Sequence, residues 1–238
     1  MAKSKYNRVL LKLSGESFCK PGAFGIDGEA LESISERIAD LCRLGSQVAI
    51  VVGAGNFLRG EAFSRDSHIP RNTADYMGML ATILNASALQ ETLEKLGQPT
   101  RVLSAIEVSA ICEPFIRRRA IHHLECQRVA ILAGGTGNPF FTTDTCAALR
   151  ASELDANLLI KATNVDGVYS EDPKTNPNAR LFKKLSYDDV LKKNLKIMDQ
   201  SAISLCKENN IPIIVLNIFK QGNITKAICG EDVGTLIC

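Results

Sequence analysis

The segment RVLLKLSGE, residues 8–16, has the pattern of a buried strand followed by a tight turn. After Arg8, the next five residues are aliphatic except for Lys12, and Ser14 and Gly15 follow this run. Similar short runs recur along the chain, and several are rich in valine and isoleucine, as is typical of strands that are covered on both faces. The predicted strands are Arg8–Leu13, Gln47–Val52, Arg101–Ser104, Arg128–Ala133, Leu158–Ala162 and Ile213–Asn217.

Helical patterns separate these runs. Apolar residues recur at spacings of three and four from Leu31 to Leu41, where Asp27 can cap the helix and Gly45 can close it. Where strands and helices alternate along a chain, the strands are parallel and the helices connect them as crossovers. We therefore predict one α/β domain over residues 1–238. The further predicted helices are about Thr73–Leu96, Thr143–Leu154, Ser186–Lys193 and Asp199–Asn209, and the segment Pro173–Arg180 is predicted as an exposed loop or hairpin tip.

Composition excludes several classes of protein. The 238 residues are 45% hydrophobic and 23% charged, which is enough for a sizeable core and excludes global disorder. The net charge of +2 lacks the basic excess of a protein that follows nucleic-acid phosphates, and the basic run Arg117–Arg119 is typical of a solvated helix face. No segment approaches the roughly 20 apolar residues of a membrane span. We therefore expect a protein that requires neither nucleic acid nor a membrane.

The cysteines and histidines show no metal-binding pattern. The eight cysteines include no C-x-x-C pair, so neither a zinc site nor a thioredoxin-like motif is indicated. They are expected to be reduced structural thiols, and because Met1–Arg8 also lacks the apolar stretch of a signal peptide, we expect a cytoplasmic location. His68, His122 and His123 have no ligand spacing and are expected at the surface.

Small and polar residues follow four of the predicted strands at their carboxyl ends, which is the edge where open α/β sheets bind ligands. Glycine lets the backbone approach a phosphate closely, and a lysine such as Lys12 adds a point charge. Neither a Walker A motif nor a clean Rossmann fingerprint is present. The residues alone therefore indicate phosphate handling of undefined chemistry. The four segments are Ser14–Glu16, Gly53–Asn56, Gly134–Asn138 and Thr163–Gly167.

Together these strand ends resemble the amino-acid kinase superfamily and, more closely, the bacterial uridylate (UMP) kinases. The resemblance runs from about residue 7 to the C-terminus and implies a three-layer α/β/α sandwich around a mainly parallel sheet. Its most specific part is TGNPFFTTD, residues 136–144, which separates this family from the acetylglutamate, glutamate and aspartate kinases. The other matching stretches are Leu10–Glu16, Phe24–Asp27, Asp75–Thr82 and Lys161–Tyr169.

The resemblance implies that ATP and UMP react to give ADP and UDP, a step of CTP and UTP biosynthesis, with Mg²⁺ carried by the nucleotide phosphates. Such a transfer requires in-line positioning and neutralised charge more than covalent chemistry. Lys12 would lie against the moving phosphoryl group, and Arg59 would supply a second cation. Asp144 and Asp199 would keep Lys12 and the Mg²⁺–phosphate network in register, since the attacking phosphate oxygen needs no general base. These four residues form the predicted catalytic set.

The resemblance also implies two nucleotide sites. Asp75 would accept hydrogen bonds from the ribose of UMP, Asn138 would read the uracil edge, and Tyr169 would offer a stacking face to ATP. The ATP set is Lys12, Leu13, Ser14, Gly15, Gly55, Arg59, Thr163, Asn164, Tyr169 and Asp172, and the UMP set is Ala54, Asp75, Thr136, Gly137, Asn138, Pro139, Phe140, Phe141, Thr142 and Thr143.

The chain departs from the family at Ala54, where the family usually has glycine. Family members are often hexamers that GTP activates and UTP inhibits, which implies a homohexamer with a GTP site at Lys20, Pro21, Gly22, Ala23, Phe24 and Gly25. Two alternatives stay open. One is a carboxylate or carbamate kinase of the same superfamily, against which residues 136–143 argue, and the other is a non-catalytic nucleotide-binding protein on this scaffold.

Overall fold

All six predicted strands lie in one sheet. The computed structural model describes residues 4–58, 68–171, 173, 175–176, 178–195 and 197–238. Three short strands that the pattern did not indicate extend this sheet, and all strand pairs are parallel except β8–β9. Within the described residues the order is β4-β3-β5-β2-β1-β6-β8-β9-β7. The strands are β1 (Arg8–Leu13), β2 (Gln47–Val52), β3 (Thr100–Ser104), β4 (Glu113–Pro114), β5 (Val129–Ala133), β6 (Leu158–Thr163), β7 (Lys184–Leu185), β8 (Ile213–Asn217) and β9 (Thr235–Ile237).

Helices cover both faces of the sheet, which confirms the three-layer α/β/α arrangement. Successive residues of a strand point to opposite faces, so Leu11 of β1 joins one apolar core and Leu10 joins the other. The first core packs under α1 (Gly28–Arg43), α2 (Arg71–Lys95) and α7 (Asn223–Cys229). The second packs under α3 (Arg117–Glu125), α4 (Thr143–Glu153), α5 (Tyr187–Lys192) and α6 (Gln200–Glu208).

The ends of α1 follow the predicted chemistry. The Asp27 side chain accepts a hydrogen bond from the Ala30 N–H at 3.0 Å, and Gly45 follows the helix with a φ of +84° that favours glycine. The basic run Arg117–Arg119 forms the exposed first turn of α3, as predicted, although the pattern did not reveal the helix itself. The short α7 was also missed. Among the described residues, none of the helices combines the length and apolar content that a membrane crossing requires.

One histidine prediction is wrong. His68 and His122 are exposed, but His123 is buried on the inner side of α3, where its Nε2 lies 3.2 Å from a carboxylate oxygen of Glu113. A buried imidazole is tolerated there because Glu113 at the sheet edge gives it a polar partner. An antiparallel bridge joins Tyr169 to Leu181, on either side of Pro173–Arg180, which agrees with the hairpin predicted there, although residues 174 and 177 lie outside the described residues.

Candidate active site

Two lysines lie side by side on the central strands, near their carboxyl ends. Lys12 of β1 pairs in register with Lys161 of β6, and both side chains lie on the face that α4 covers. Asp144, in the first turn of α4, lies between them. The Lys12 ammonium is 2.7 Å from one of its carboxylate oxygens, and the Lys161 ammonium is 2.7 Å from the other. One carboxylate therefore holds two cations at a defined spacing.

This cluster of Lys12, Lys161 and Asp144 is mostly shielded from water. The side chains are 9%, 14% and 15% exposed, respectively. Burial works to raise the pKa of the Asp144 carboxyl, but the two ammonium charges and their hydrogen bonds outweigh it and hold that pKa below its ordinary value. Burial also lowers the pKa of Lys161, although the Asp144 charge opposes this change. With all three groups ionised, their charges sum to +1, and the nearby Asp199 adds a negative charge that also acts on Lys161.

Asp199 connects the start of α6 to the start of α4. It is the N-cap of α6, where it accepts a hydrogen bond from the Ala202 N–H at 2.8 Å. It also accepts hydrogen bonds from the hydroxyls of Thr142 and Thr145, the latter at 2.7 Å. Thr142 is in turn the N-cap of α4. Asp199 therefore fixes the helix turn that carries Asp144, and Asp144 in turn contacts Lys12.

The loops that follow β1 and β2 fit against each other backbone to backbone. A Cβ atom on Gly15 would lie 2.3 Å from the Gly55 nitrogen, so only glycine fits there. The Gly53 N–H donates to the Leu13 carbonyl at 2.8 Å, which fixes one loop on the other. Ala54 is buried and does not adopt a positive φ, so its extra methyl group is accommodated. The predicted phosphate-binding backbone is thus brought together at one place.

A buried pair of amide side chains supports the loop after β2. Asn85 of α2 and Asn56 donate to each other's oxygens at 2.8 and 2.9 Å, and Asn85 also donates to the Gly53 carbonyl at 2.8 Å. Asn56 further donates to the Gly25 carbonyl, and the Gly25 N–H donates back to the Asn56 carbonyl. Asn56 belongs to the predicted segment Gly53–Asn56 but was given no role there, and sequence reasoning missed Asn85. The two asparagines connect the glycine loop to the segment predicted as the GTP site.

The segment from the end of β5 to the start of α4 contains most of the predicted UMP set and contacts Asp75, whereas Ala54 lies in the loop after β2. The backbone of the segment between β5 and α4 turns through left-handed conformations at Gly135 and Gly137, and Phe140 has a φ of +71°. The Phe140 N–H donates to a carboxylate oxygen of Asp75 at 2.8 Å, which holds the strained residue in place. Phe140 and Phe141 are 69% and 56% exposed, so core packing does not explain them.

A cavity of about 590 Å³ lies where the adenosine of ATP was predicted. Thr163, Asn164 and Tyr169 line it, and the turn between α5 and α6 lines it as well. A second cavity of about 420 Å³ lies beside Asp144 and Asp199. The residues that line both cavities are Lys161, Asn194, Leu195 and Ile197, and sequence reasoning assigned a role to none of them. Lys161 had a visible signal, since it is a lysine inside an aliphatic strand, as Lys12 is.

Two of the predicted site residues, Arg59 and Asp172, lie outside the described residues. In the predicted GTP segment, Lys20 pairs with Asp27 at 3.4 Å and with Glu29 at 3.0 Å. Phe24 is largely exposed and contacts Phe57 edge to face, with ring centroids 5.6 Å apart. Within the described residues, no group of three or more histidine, cysteine, aspartate or glutamate side chains could hold a metal ion.

Comparison with known proteins places this geometry in context. The amino acid kinase family matches residues 7–217. The chain is 55% identical over 233 residues to the chloroplastic uridylate kinase PUMPKIN of Arabidopsis thaliana, which covers 98% of this chain and 69% of that protein. It superimposes on the crystal structure of UMP kinase from Bacillus anthracis with a TM-score of 0.94 and 39% identity, over 98% of this chain and 96% of that chain. UMP kinase from Ureaplasma parvum gives a TM-score of 0.90 and 37% identity, over 100% and 99% of the two chains.

Proposed function

This chain belongs to the amino acid kinase family and, within it, to the uridylate kinases, and on that premise we propose that it transfers the γ-phosphoryl group of ATP to UMP. The observation that carries the proposal is the cluster of Lys12, Lys161 and Asp144 beside the two glycine loops. Phosphoryl transfer spreads negative charge over three equatorial oxygens, and a fixed cation lowers the energy of that state. Lys12 is the cation, and Asp144 determines where its ammonium points.

Asp144 is a positioning group and not a general base. Both of its oxygens face ammonium groups, and its pKa lies below the ordinary carboxyl value, so it is a poor proton acceptor at neutral pH. The reaction does not require one, because the phosphate of UMP attacks as an anion. The described residues offer no cage of their own for Mg²⁺, so the ion would be bound chiefly by the nucleotide phosphates and would supply further charge neutralisation there.

The acceptor nucleotide is assigned to the loop between β5 and α4. Asp75 accepts hydrogen bonds from Phe140 and from the Arg71 side chain, and an ionised carboxylate has about four acceptor positions, so capacity remains for ribose hydroxyls. The exposed Phe140 and Phe141 flank this place. ATP is assigned to the cavity beside Tyr169, whose volume of about 590 Å³ lies within the range that small-molecule ligands occupy.

We also propose a homohexamer that GTP activates and UTP inhibits, acting in CTP and UTP biosynthesis in the cytoplasm. An exposed apolar stripe along α2, formed by Tyr76, Leu80 and Leu84, supports self-association, since contiguous exposed apolar patches mark interaction sites. The hydrogen bonds between Gly25 and Asn56 give the predicted GTP segment a direct link to the glycine loop. Light scattering tests the hexamer, and initial rates with and without GTP and UTP test the regulation.

The activity itself is tested by a coupled assay of ADP release with a panel of acceptors. We expect rapid turnover with UMP and the appearance of UDP. Turnover with acetylglutamate or carbamate, and none with UMP, would instead make the protein a carboxylate or carbamate kinase. Binding of ATP and UMP without transfer would make it a non-catalytic nucleotide-binding protein.

A further inference from the structure

Lys161 is a buried lysine to which the reaction scheme above gives no function of its own. It lies on β6 between Ile160 and Ala162, and its side chain is 14% exposed. Placing an ammonium group away from water is costly unless acceptors surround it. Lys161 has two acceptors, an Asp144 oxygen at 2.7 Å and the carbonyl of Ile197. A chain that needed only a stable strand would place an aliphatic residue at this position.

The second lysine changes what Asp144 does to the first. If Lys12 and Asp144 were alone, one carboxylate would neutralise one ammonium, and the pair would offer no net charge to a phosphate. Because Lys161 lies 2.7 Å from the other oxygen, the carboxylate is shared, and Lys161 adds one positive charge to a group of side chains that also includes Asp199, whose negative charge acts on Lys161. Lys161 donates a hydrogen bond to one carboxylate oxygen, and the other oxygen lies against the Lys12 ammonium, so Lys161 helps to determine where that ammonium lies.

Lys161 also lies between the two cavities. It lines the cavity beside Tyr169 and the cavity beside Asp144 and Asp199. Its bond to the Ile197 carbonyl ties the turn that walls both cavities to the central sheet. The proposed adenosine pocket and the charged cluster are therefore connected through one side chain.

We propose that Lys161 is a positioning residue for phosphoryl transfer, which positions Lys12 through the shared carboxylate of Asp144 and adds one positive charge beside it. This inference rests on the proposed kinase activity. It differs from a purely structural role, in which Lys161 would only hold the turn at Ile197 and thereby shape the nucleotide pocket.

The test replaces Lys161 by methionine, which has a similar length and no charge. Lys184→Met on the edge strand β7 is the control, because it also removes one charge from a strand and Lys184 is exposed. We expect Lys161→Met to lower kcat about 10- to 100-fold, less than the about 10²- to 10³-fold loss that follows removal of a direct donor to the transition state. The KM values for ATP and UMP should change less than twofold, and Lys184→Met should match the wild type.

Two further variants distinguish the effect of the Lys161 charge from the effect of its hydrogen bond to the turn. They also provide the test if Lys161→Met does not fold. Lys161→Gln keeps a donor for the Ile197 carbonyl without the charge, and Lys161→Arg keeps the charge. We expect the arginine variant to retain more kcat than the glutamine variant. Equal kcat values in these two variants, or a raised KM for ATP with unchanged kcat, would overturn the positioning role. A wild-type protein that shows no turnover with UMP would overturn the proposed function, and this inference with it.

Discussion

Replacing Asp144 by asparagine would leave two buried ammonium groups without the carboxylate that both of them contact. Asparagine has nearly the same shape, so the change removes the charge and replaces one of the two acceptor oxygens by an amide donor. In the native protein both ammonium groups are 2.7 Å from the carboxylate, and all three side chains are at most 15% exposed. The Asp144→Asn variant therefore isolates the energy with which the carboxylate holds the two lysines together.

The burial of the cluster determines the size of the effect. An exposed ion pair stabilises a protein by about 0–1 kcal/mol, whereas removing one partner of a buried pair costs about 3–5 kcal/mol. At an effective dielectric constant of about 20, a single contact at 2.7 Å has a Coulomb energy of about 6 kcal/mol before desolvation, so two contacts can supply that loss. A chain of this length loses about 2–4 °C in Tm per kcal/mol. We therefore expect Tm to fall by about 6–20 °C at neutral pH.

The pH dependence has a definite sign. The folded-state pKa of Asp144 lies below its ordinary value, because the charges of Lys12 and Lys161 outweigh the opposing effect of burial. A carboxyl group with a lowered pKa contributes stability that is complete above its unfolded pKa and is lost as the pH falls through the folded one. The difference in Tm between the wild type and Asp144→Asn should thus be largest near pH 7 and shrink below about pH 4.

The assay is thermal unfolding followed by circular dichroism, since the chain has no tryptophan to report by fluorescence. Asp188→Asn is the matched control, because Asp188 lies 2.6 Å from Lys207 but both side chains are about half exposed. Its Tm should stay close to that of the wild type. Equal Tm losses in the two variants, or a loss for Asp144→Asn that does not shrink in acid, would refute the argument from burial.

Three further outcomes follow from the site geometry. Lys12→Met should lower kcat about 10²- to 10³-fold with small changes in KM, because its charge acts mainly in the transition state, and an unchanged kcat in the coupled assay would contradict this. Asp75→Asn should raise KM for UMP more than KM for ATP, since Asp75 holds the loop through Phe140, and the reverse pattern in steady-state kinetics would exchange the two nucleotide sites. Gly15→Ala should lower Tm and weaken ATP binding, because its Cβ would lie 2.3 Å from the Gly55 nitrogen. Calorimetry measures both quantities, and wild-type values in the variant would show that the two loops can separate.

The central strands could be predicted because their environment is simple. β1, β2, β5 and β8 are buried on both faces, so each is a nearly continuous aliphatic run that periodicity detects. The edge strands β4 and β7 have two residues each, and only one of these four residues, Leu185, is buried, so they carry no such pattern. Helix α3 was not predicted for a related reason. It begins with three arginines, and too few of its residues are apolar to give a helical periodicity.

The sequence predicts those parts of the site that a single segment identifies, but it does not predict the contacts between separate segments. Lys12 interrupts an aliphatic run, and residues 136–144 are specific enough to identify a family, so both stand out in the sequence. The pairing of Lys12 with Lys161 depends on the strand order β2-β1-β6 and on register, which no single segment specifies. Asn85 and the turn at Ile197 became visible for the same reason only in the folded chain.

The lysine pair connects the chemistry of the site to the specificity of the fold. Side chains alternate along a strand, so a slip of β6 by one residue against β1 would turn Lys161 toward the apolar core that contains Leu158 and Ile160. There its ammonium would have no carboxylate partner, and an unpaired charge in an apolar core costs several kcal/mol. In the native register the same ammonium lies 2.7 Å from Asp144. The ion pairs that orient Lys12 therefore also favour the only register in which the site can form.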